Sequence, residues 1–156
     1  MMQLCYASTR QENQKDLLED LSGILVSARN FNQAHAIYGV LYYAEGRFFQ
    51  CLEAEAEILE KVYAKIASDP RHTNLIRFEN RVIDRLHFSE WSMKYVNKHS
   101  SIGTLFKRFG LNAFLPHELK TEQITVFLEL LLRLQNSEPK LKRMQGYRTR
   151  GYKPYL

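Results

Sequence analysis

The chain has 156 residues, 45% of them hydrophobic and 25% charged, the size and make-up of one globular domain with an appendage. No apolar run approaches the ~20 residues of a membrane helix, and the opening MMQLCYASTR lacks the regions of a secretory signal; a cytoplasmic protein is expected. The net charge of +5 is unevenly spread: Lys140, Lys142, Arg143, Arg148, Arg150 and Lys153 follow Pro139 with no acid, leaving 16 basic against 17 acidic residues before it.

In chain order, residues 2–8 (MQLCYAS) read as a strand with Leu4, Tyr6 and Ser8 on one face. Leu17, Leu18, Leu21, Ile24, Leu25 and Ala28 recur at helical spacing. That helix is expected to start near Asn13 and fail around Asn30-Phe31-Asn32, because Asn tolerates the left-handed region. Residues 36–44 form a second strand, Glu45-Gly46 turns, and GRFFQCLE returns as a third. Ile58, Leu59, Val62, Tyr63 and Ile66 mark a second helix, ended by Asp69-Pro70. Residues 74–84 and 88–96 supply two more strands. Helical patterns follow at 101–109 and from Thr121, the expected cap, to Asn136.

The order βαββαββ predicts an α+β ferredoxin-like sandwich, with a five-stranded sheet and two helices on one face. The C-terminal helices then cap the other face. Cys5 and Cys51 both fall in strands and read as small core residues. The five histidines lack metal-ligand spacing, so no metal is expected, and no catalytic motif is present. In DPRH (69–72), Arg71 reads as a loop ion pair or as an anion contact.

Gln50 sits on the strand face of Phe48 and Leu52. A buried primary amide left unpaired costs roughly 1–3 kcal/mol, so Gln50 needs a polar partner. With the N-terminal strand central and beside the third, the Tyr6 hydroxyl reaches Gln50. Met93 joins them on that face, and Ile24, Ala28 and Ile66 wall the slot from the helices. Trp91 and Met93, two apart, are expected to share a strand face. An apolar slot with a few convergent polar groups suits a planar heterocycle with amide-like edges.

These residues resemble the BLUF domain, the blue-light sensor using flavin. The resemblance is carried by LCYAS, SARNFN, IYGVLYYAEGRFFQCLE, KIASDPRH and WSM, in the family's order, over about residues 2–97. It implies a flavin-binding domain at 1–97 and a helical cap with basic tail at 98–156. It implies a noncovalent flavin, most often FAD, with FMN or riboflavin as substitutes. Tyr6 matches the photoactive tyrosine, and Gln50 the glutamine between it and the flavin edge. Asn32 matches the asparagine at the ring's carbonyl edge. Trp91 and Met93 match the last-strand pair, one of which lies near Gln50. Ile24, Ala28, Leu41, Phe48 and Ile66 fall to the pocket walls. Arg29, Phe31, Lys65, Asp69, Arg71 and His72 fall to its rim and the flavin tail. Ala54 replaces a usual Gly, and Tyr38 a small residue that should face away from the flavin.

The family mechanism is light-driven electron and proton transfer from the tyrosine, followed by rearrangement of the glutamine. The implied role is a photoreceptor, not an enzyme, acting through a regulatory partner such as a transcription regulator. A homo-oligomer is a further candidate partner. The basic tail reads as solvated, packing back through Tyr147, Tyr152 and Tyr155, against an anionic partner; direct nucleic-acid binding is not expected. The competing classes are a flavin-dependent oxidoreductase and a binding module whose flavin pocket has decayed.

Overall fold

A computed structural model describes residues 1–12 and 15–139. The expected start of the first helix near Asn13 and the basic tail from Lys140 lie outside the described residues. The elements are β1 (Met2–Arg10), α1 (Leu17–Ala34), β2 (Tyr38–Ala44), β3 (Arg47–Ala54), α2 (Ala56–Ala67), β4 (His72–Arg77), β5 (Arg81–Val82), β6 (Lys94–Val96), α3 (Ser100–Arg108) and α4 (Thr121–Arg133). A short 3-10 turn at Pro116–Glu118 precedes α4.

The sheet order is β4-β1-β3-β2-β6, with β5 also paired to β1. The N-terminal strand is therefore central and beside the third, as expected for a ferredoxin-like sheet. All pairings are antiparallel except β2 with β6. The expected strand 74–84 is two strands, because the chain breaks pairing at 78–80 and re-pairs with β1 at Arg81. The expected strand 88–96 keeps only Lys94–Val96, because the chain before it bends rather than extends.

Both faces of the sheet are covered, and the alternation of β1 and β3 separates the two cores. Leu4, Tyr6, Phe48 and Leu52 pack under α1 and α2, with Leu21, Ile24, Leu25, Leu59 and Val62. Cys5, Phe49 and Cys51 pack under α3 and α4, with Ile102, Phe106, Ile124 and Phe127. Phe127 is fully buried, its ring 4.9 Å from Phe49 and 5.1 Å from Phe106. Truncating such a residue to Ala costs about 3–5 kcal/mol, so α4 is an integral layer of the fold. Cys5 and Cys51 are buried free thiols opposite each other in register.

Three local expectations are corrected. Helix α1 begins at Leu17 rather than near Asn13, capped by Asp16: the Asp16 side chain accepts from the Glu19 N–H at 2.8 Å and Glu19 answers at 3.2 Å. The helix runs through Asn30 and Asn32 to Ala34, because the buried Asn32 side chain bonds to Ser92 rather than to its own backbone. Ala36, at φ 55°, makes the left-handed exit instead. Thr121 is the first residue of α4 and not its cap; the Gln123 side chain accepts from the Lys120 N–H at 2.9 Å. The β2–β3 turn is as expected, with Glu45 (φ 54°) and Gly46 (φ 81°) both left-handed, the pattern of a two-residue hairpin.

Candidate functional site

The register of β1 against β3 places Tyr6 directly opposite Gln50, and β2 places Leu41 on the other side of Gln50. Tyr6 is 1% and Gln50 3% exposed. The Tyr6 hydroxyl donates to Gln50 Oε1, and Gln50 Nε2 lies 3.4 Å from Met93 Sδ. The amide is thus paired at both ends, by a strong donor on one side and a weak sulfur acceptor on the other. The Tyr6 phenol is pushed well above its usual range, first by burial and then by Asp69 and Tyr63. It stays protonated and serves as a donor.

Above this row lies a cleft between the sheet, α1 and α2. Its interior measures about 110 Å³, and about 580 Å³ with its open mouth. Ile24, Ala28 and Ile66 wall it as expected, with Tyr6, Asn32 and Gln50 at its base. Phe31, Lys65, Asp69, Arg71 and His72 also line it. The Lys65 ammonium sits 3.9 Å over the Phe31 ring, which stacks on His35 at 4.1 Å. Arg71 is an ion pair with Asp69, Nη2 to Oδ2 at 2.7 Å. Burial raises the Asp69 carboxyl, but the side-chain and backbone donors of Arg71 outweigh it and hold it below the usual range.

His72 packs beneath the cleft, 4.8 Å from Phe48 and edge-on to Tyr6 at 5.9 Å. Its Nδ1 lies 2.8 Å from Ser8 Oγ. Burial pushes His72 down to about 4, against the opposing pull of Asp69, so the ring is neutral at ordinary pH.

Asn32 carries the strongest indication of a missing partner. It is 1% exposed, its Nδ2 donates to Ser92 O at 2.8 Å, and its Oδ1 is buried with no partner. Asn32 lines the cleft, and a buried acceptor left without a partner there asks for a donor from a guest. An N–H on the edge of a flat heterocycle meets that need, and Gln50 offers amide groups to an adjacent edge.

Other expected residues lie elsewhere. Leu41 and Phe48 are fully buried beside Gln50 on the cleft face of the sheet, in the core under α1 and α2 rather than in the cleft lining. Arg29 turns away from the cleft: its Nε donates to Met93 O at 3.1 Å and its Nη1 reaches Glu138. Trp91 and Met93 do not share a face. Met93 joins the core beneath α1 and α2, whereas Trp91 packs on the opposite core. The bend before β6 breaks the two-residue alternation, so spacing alone misplaced Trp91. Tyr38 does face away, against the far core. Sequence reading missed Ser27, Leu52 and Val62 in the lining. The signal was present: Ser27 is three residues from Ile24, Val62 four from Ile66, and Leu52 shares the strand face of Gln50.

An apolar cleft over a sheet, with a hydrogen-bonding row at its base, defines a binding domain for a planar heterocycle. Comparison with known proteins identifies the heterocycle. The family model "Sensors of blue-light using FAD" (BLUF) matches residues 1–94. The chain belongs to this family of flavin-binding blue-light sensors. The photo-activated state of BlsA is 44% identical, with a TM-score of 0.85, over 88% of this chain and 99% of that one. The BlsA ground state is 45% identical, with a TM-score of 0.84, over 87% of this chain and 90% of that one. The likeness therefore extends beyond the matched domain into the capping helices. Photoactivated adenylate cyclase subunit alpha of Euglena gracilis is 32% identical over 110 residues, 67% of this chain. The chain spans only 11% of that protein's length. Among the described residues no helix is long and apolar enough to cross a membrane.

Proposed function

We propose that this protein is a blue-light photoreceptor that holds FAD noncovalently in the cleft and signals through contacts rather than by catalysis. The observation that carries the reading is the continuous row Tyr6–Gln50–Met93 at the base of a cleft lined also by Asn32, whose Oδ1 has no partner. Tyr6 is the electron and proton donor; a bound flavin would supply the blue-light absorption and the oxidising power for that transfer.

The chain's own residues do the rest. Ile24, Ala28 and Ile66 exclude water from the ring site. Asn32 Oδ1 accepts from a ring N–H. Lys65, Asp69 and Arg71 at the rim hold the polar tail. Gln50 Oε1 is the first acceptor for a proton leaving Tyr6. Gln50 Nε2 is held by a sulfur, the weakest acceptor available to it, so that end of the amide is the one freed at least cost. Release of Met93 passes to β6 and its attachments to α4. A regulatory protein, such as a transcription regulator, that docks on the cap helices is the proposed receiver. Free thiols facing each other at Cys5 and Cys51 suit the reducing cytoplasm.

The test is a visible spectrum of the purified protein before and after blue light, followed in the dark. A flavin band that moves slightly to the red and recovers is expected. Tyr6→Phe should keep the flavin and lose the shift. A bleaching flavin, or a normal photocycle in Tyr6→Phe, would overturn the assignment.

A further inference from the structure

A second cavity, of about 100 Å³, lies on the opposite side of the sheet, between β1, β5, the loop at 87–88 and α4. Gln3 and Arg81 line it and belong to a row of three polar residues in register across three strands: Gln3 pairs with Glu53 of β3 on one side and with Arg81 of β5 on the other. Glu53 is fully buried and fully paired. It accepts from Gln3 Nε2 at 2.9 Å, from the His87 and Phe88 N–H groups at 2.7 and 3.0 Å, and meets His87 Nδ1 at 2.9 Å.

The other two residues are incompletely satisfied. Gln3 is 4% exposed, yet its Oε1 is buried with no partner. Arg81 Nη1 is likewise buried and unpaired. One is an acceptor and the other a donor, and they do not bond each other. The remaining walls are Phe88, Leu128 and Leu132, with Thr125, His87 and the exposed Glu129 beside them.

A carboxylate guest would answer Arg81 but offers Gln3 Oε1 no donor, and it would sit beside the charge of Glu53. The chemistry that fits is neutral and two-ended, with a carbonyl for Arg81, an N–H for Gln3 and a small apolar body for the leucines.

We infer that this cavity is a second ligand site, for a small neutral molecule bearing a primary amide or urea-type group. The site is independent of the flavin cleft, and α4 is one of its walls.

The experiment is an NMR titration of the full chain with isobutyramide, using isobutyrate as the matched probe. Saturable shifts are expected at the Gln3 side-chain amide, Phe88 and the Leu128 and Leu132 methyls. Isobutyrate should bind at least about tenfold more weakly, as a site built around a hydrogen bond rejects an analogue that cannot make it. Arg81→Met should abolish the shifts. Because that change could disturb β5, Leu132→Phe is the second variant; it fills the cavity from the rim and should abolish them in a chain with folded dispersion. Equal binding of isobutyrate, no saturable shift, or binding that survives both variants would overturn the proposal.

Discussion

Gln50 donates its amide to the sulfur of Met93, 3.4 Å away, and Met93 is the residue immediately before β6. This contact joins the base of the flavin cleft to the edge strand of the sheet. Met93→Leu conserves volume and should cost less than about 1.5 kcal/mol in stability. It removes the acceptor for Gln50 Nε2. The flavin band should therefore persist, while the dark-recovery rate changes severalfold; flash spectroscopy measures both. Recovery identical to the parent would show that the sulfur contact has no part in the switch.

Lys94 extends the same connection to the cap. Its side chain is buried, its Nζ donates to the carbonyl of Leu132 near the end of α4 at 2.8 Å, and it lies 4.3 Å over the Trp91 ring. Beside it, Tyr95 N donates to Asn136 Oδ1 at 3.0 Å and Ser137 N to Tyr95 O at 2.8 Å. A charged donor on a helix C-terminal carbonyl contributes about 1.5–3 kcal/mol. Lys94→Met should loosen the end of α4. Hydrogen exchange at Leu131–Ser137 is expected to quicken about tenfold, in line with a loss of ~1.4 kcal/mol, with β2 and β3 unchanged. Uniform quickening across the sheet would instead mean that Lys94 only stabilises the whole fold.

His72 predicts an acid-sensitive fold. Its folded value, about 4, lies below the ordinary 6.5. Between those values the unfolded chain binds a proton that the folded chain refuses, so stability falls as pH drops from 6.5 to 4. The loss is at most about 3 kcal/mol. His72→Phe keeps a ring against Phe48 and Tyr6. Its urea midpoint should fall less steeply over that window than the parent's, and parallel slopes would remove His72 as the cause.

Gly39 is fixed by the neighbouring strand. A Cβ there would stand 2.1 Å from the carbonyl oxygen of Cys51. The obstacle is backbone in the middle of a sheet and cannot swing aside. Gly39→Ala should cost more than about 3 kcal/mol, beyond ordinary overpacking, or yield no folded protein. Thermal unfolding measures it; a loss under 1 kcal/mol, the scale of a mild repacking, would mean that β2 and β3 separate more easily than this spacing implies.

The sequence determined the local elements and the faces they bury. Two-residue alternation put Tyr6 with Leu4, and Gln50 with Phe48 and Leu52, before any pairing was known. Helical spacing put Ile24, Ala28 and Ile66 on inner surfaces, and the motifs carried the family. These are properties of adjacent residues, set by backbone geometry alone. Tertiary structure decided what depends on distant partners. The β1–β3 register set Tyr6 against Gln50 across 44 positions. A bend at 91–93 sent Trp91 and Met93 to opposite cores. The bond to Ser92 kept Asn32 inside α1 against its propensity, and the row Glu53–Gln3–Arg81 exists only across three strands. Each of these rests on long-range pairing, which no local pattern in the chain encodes.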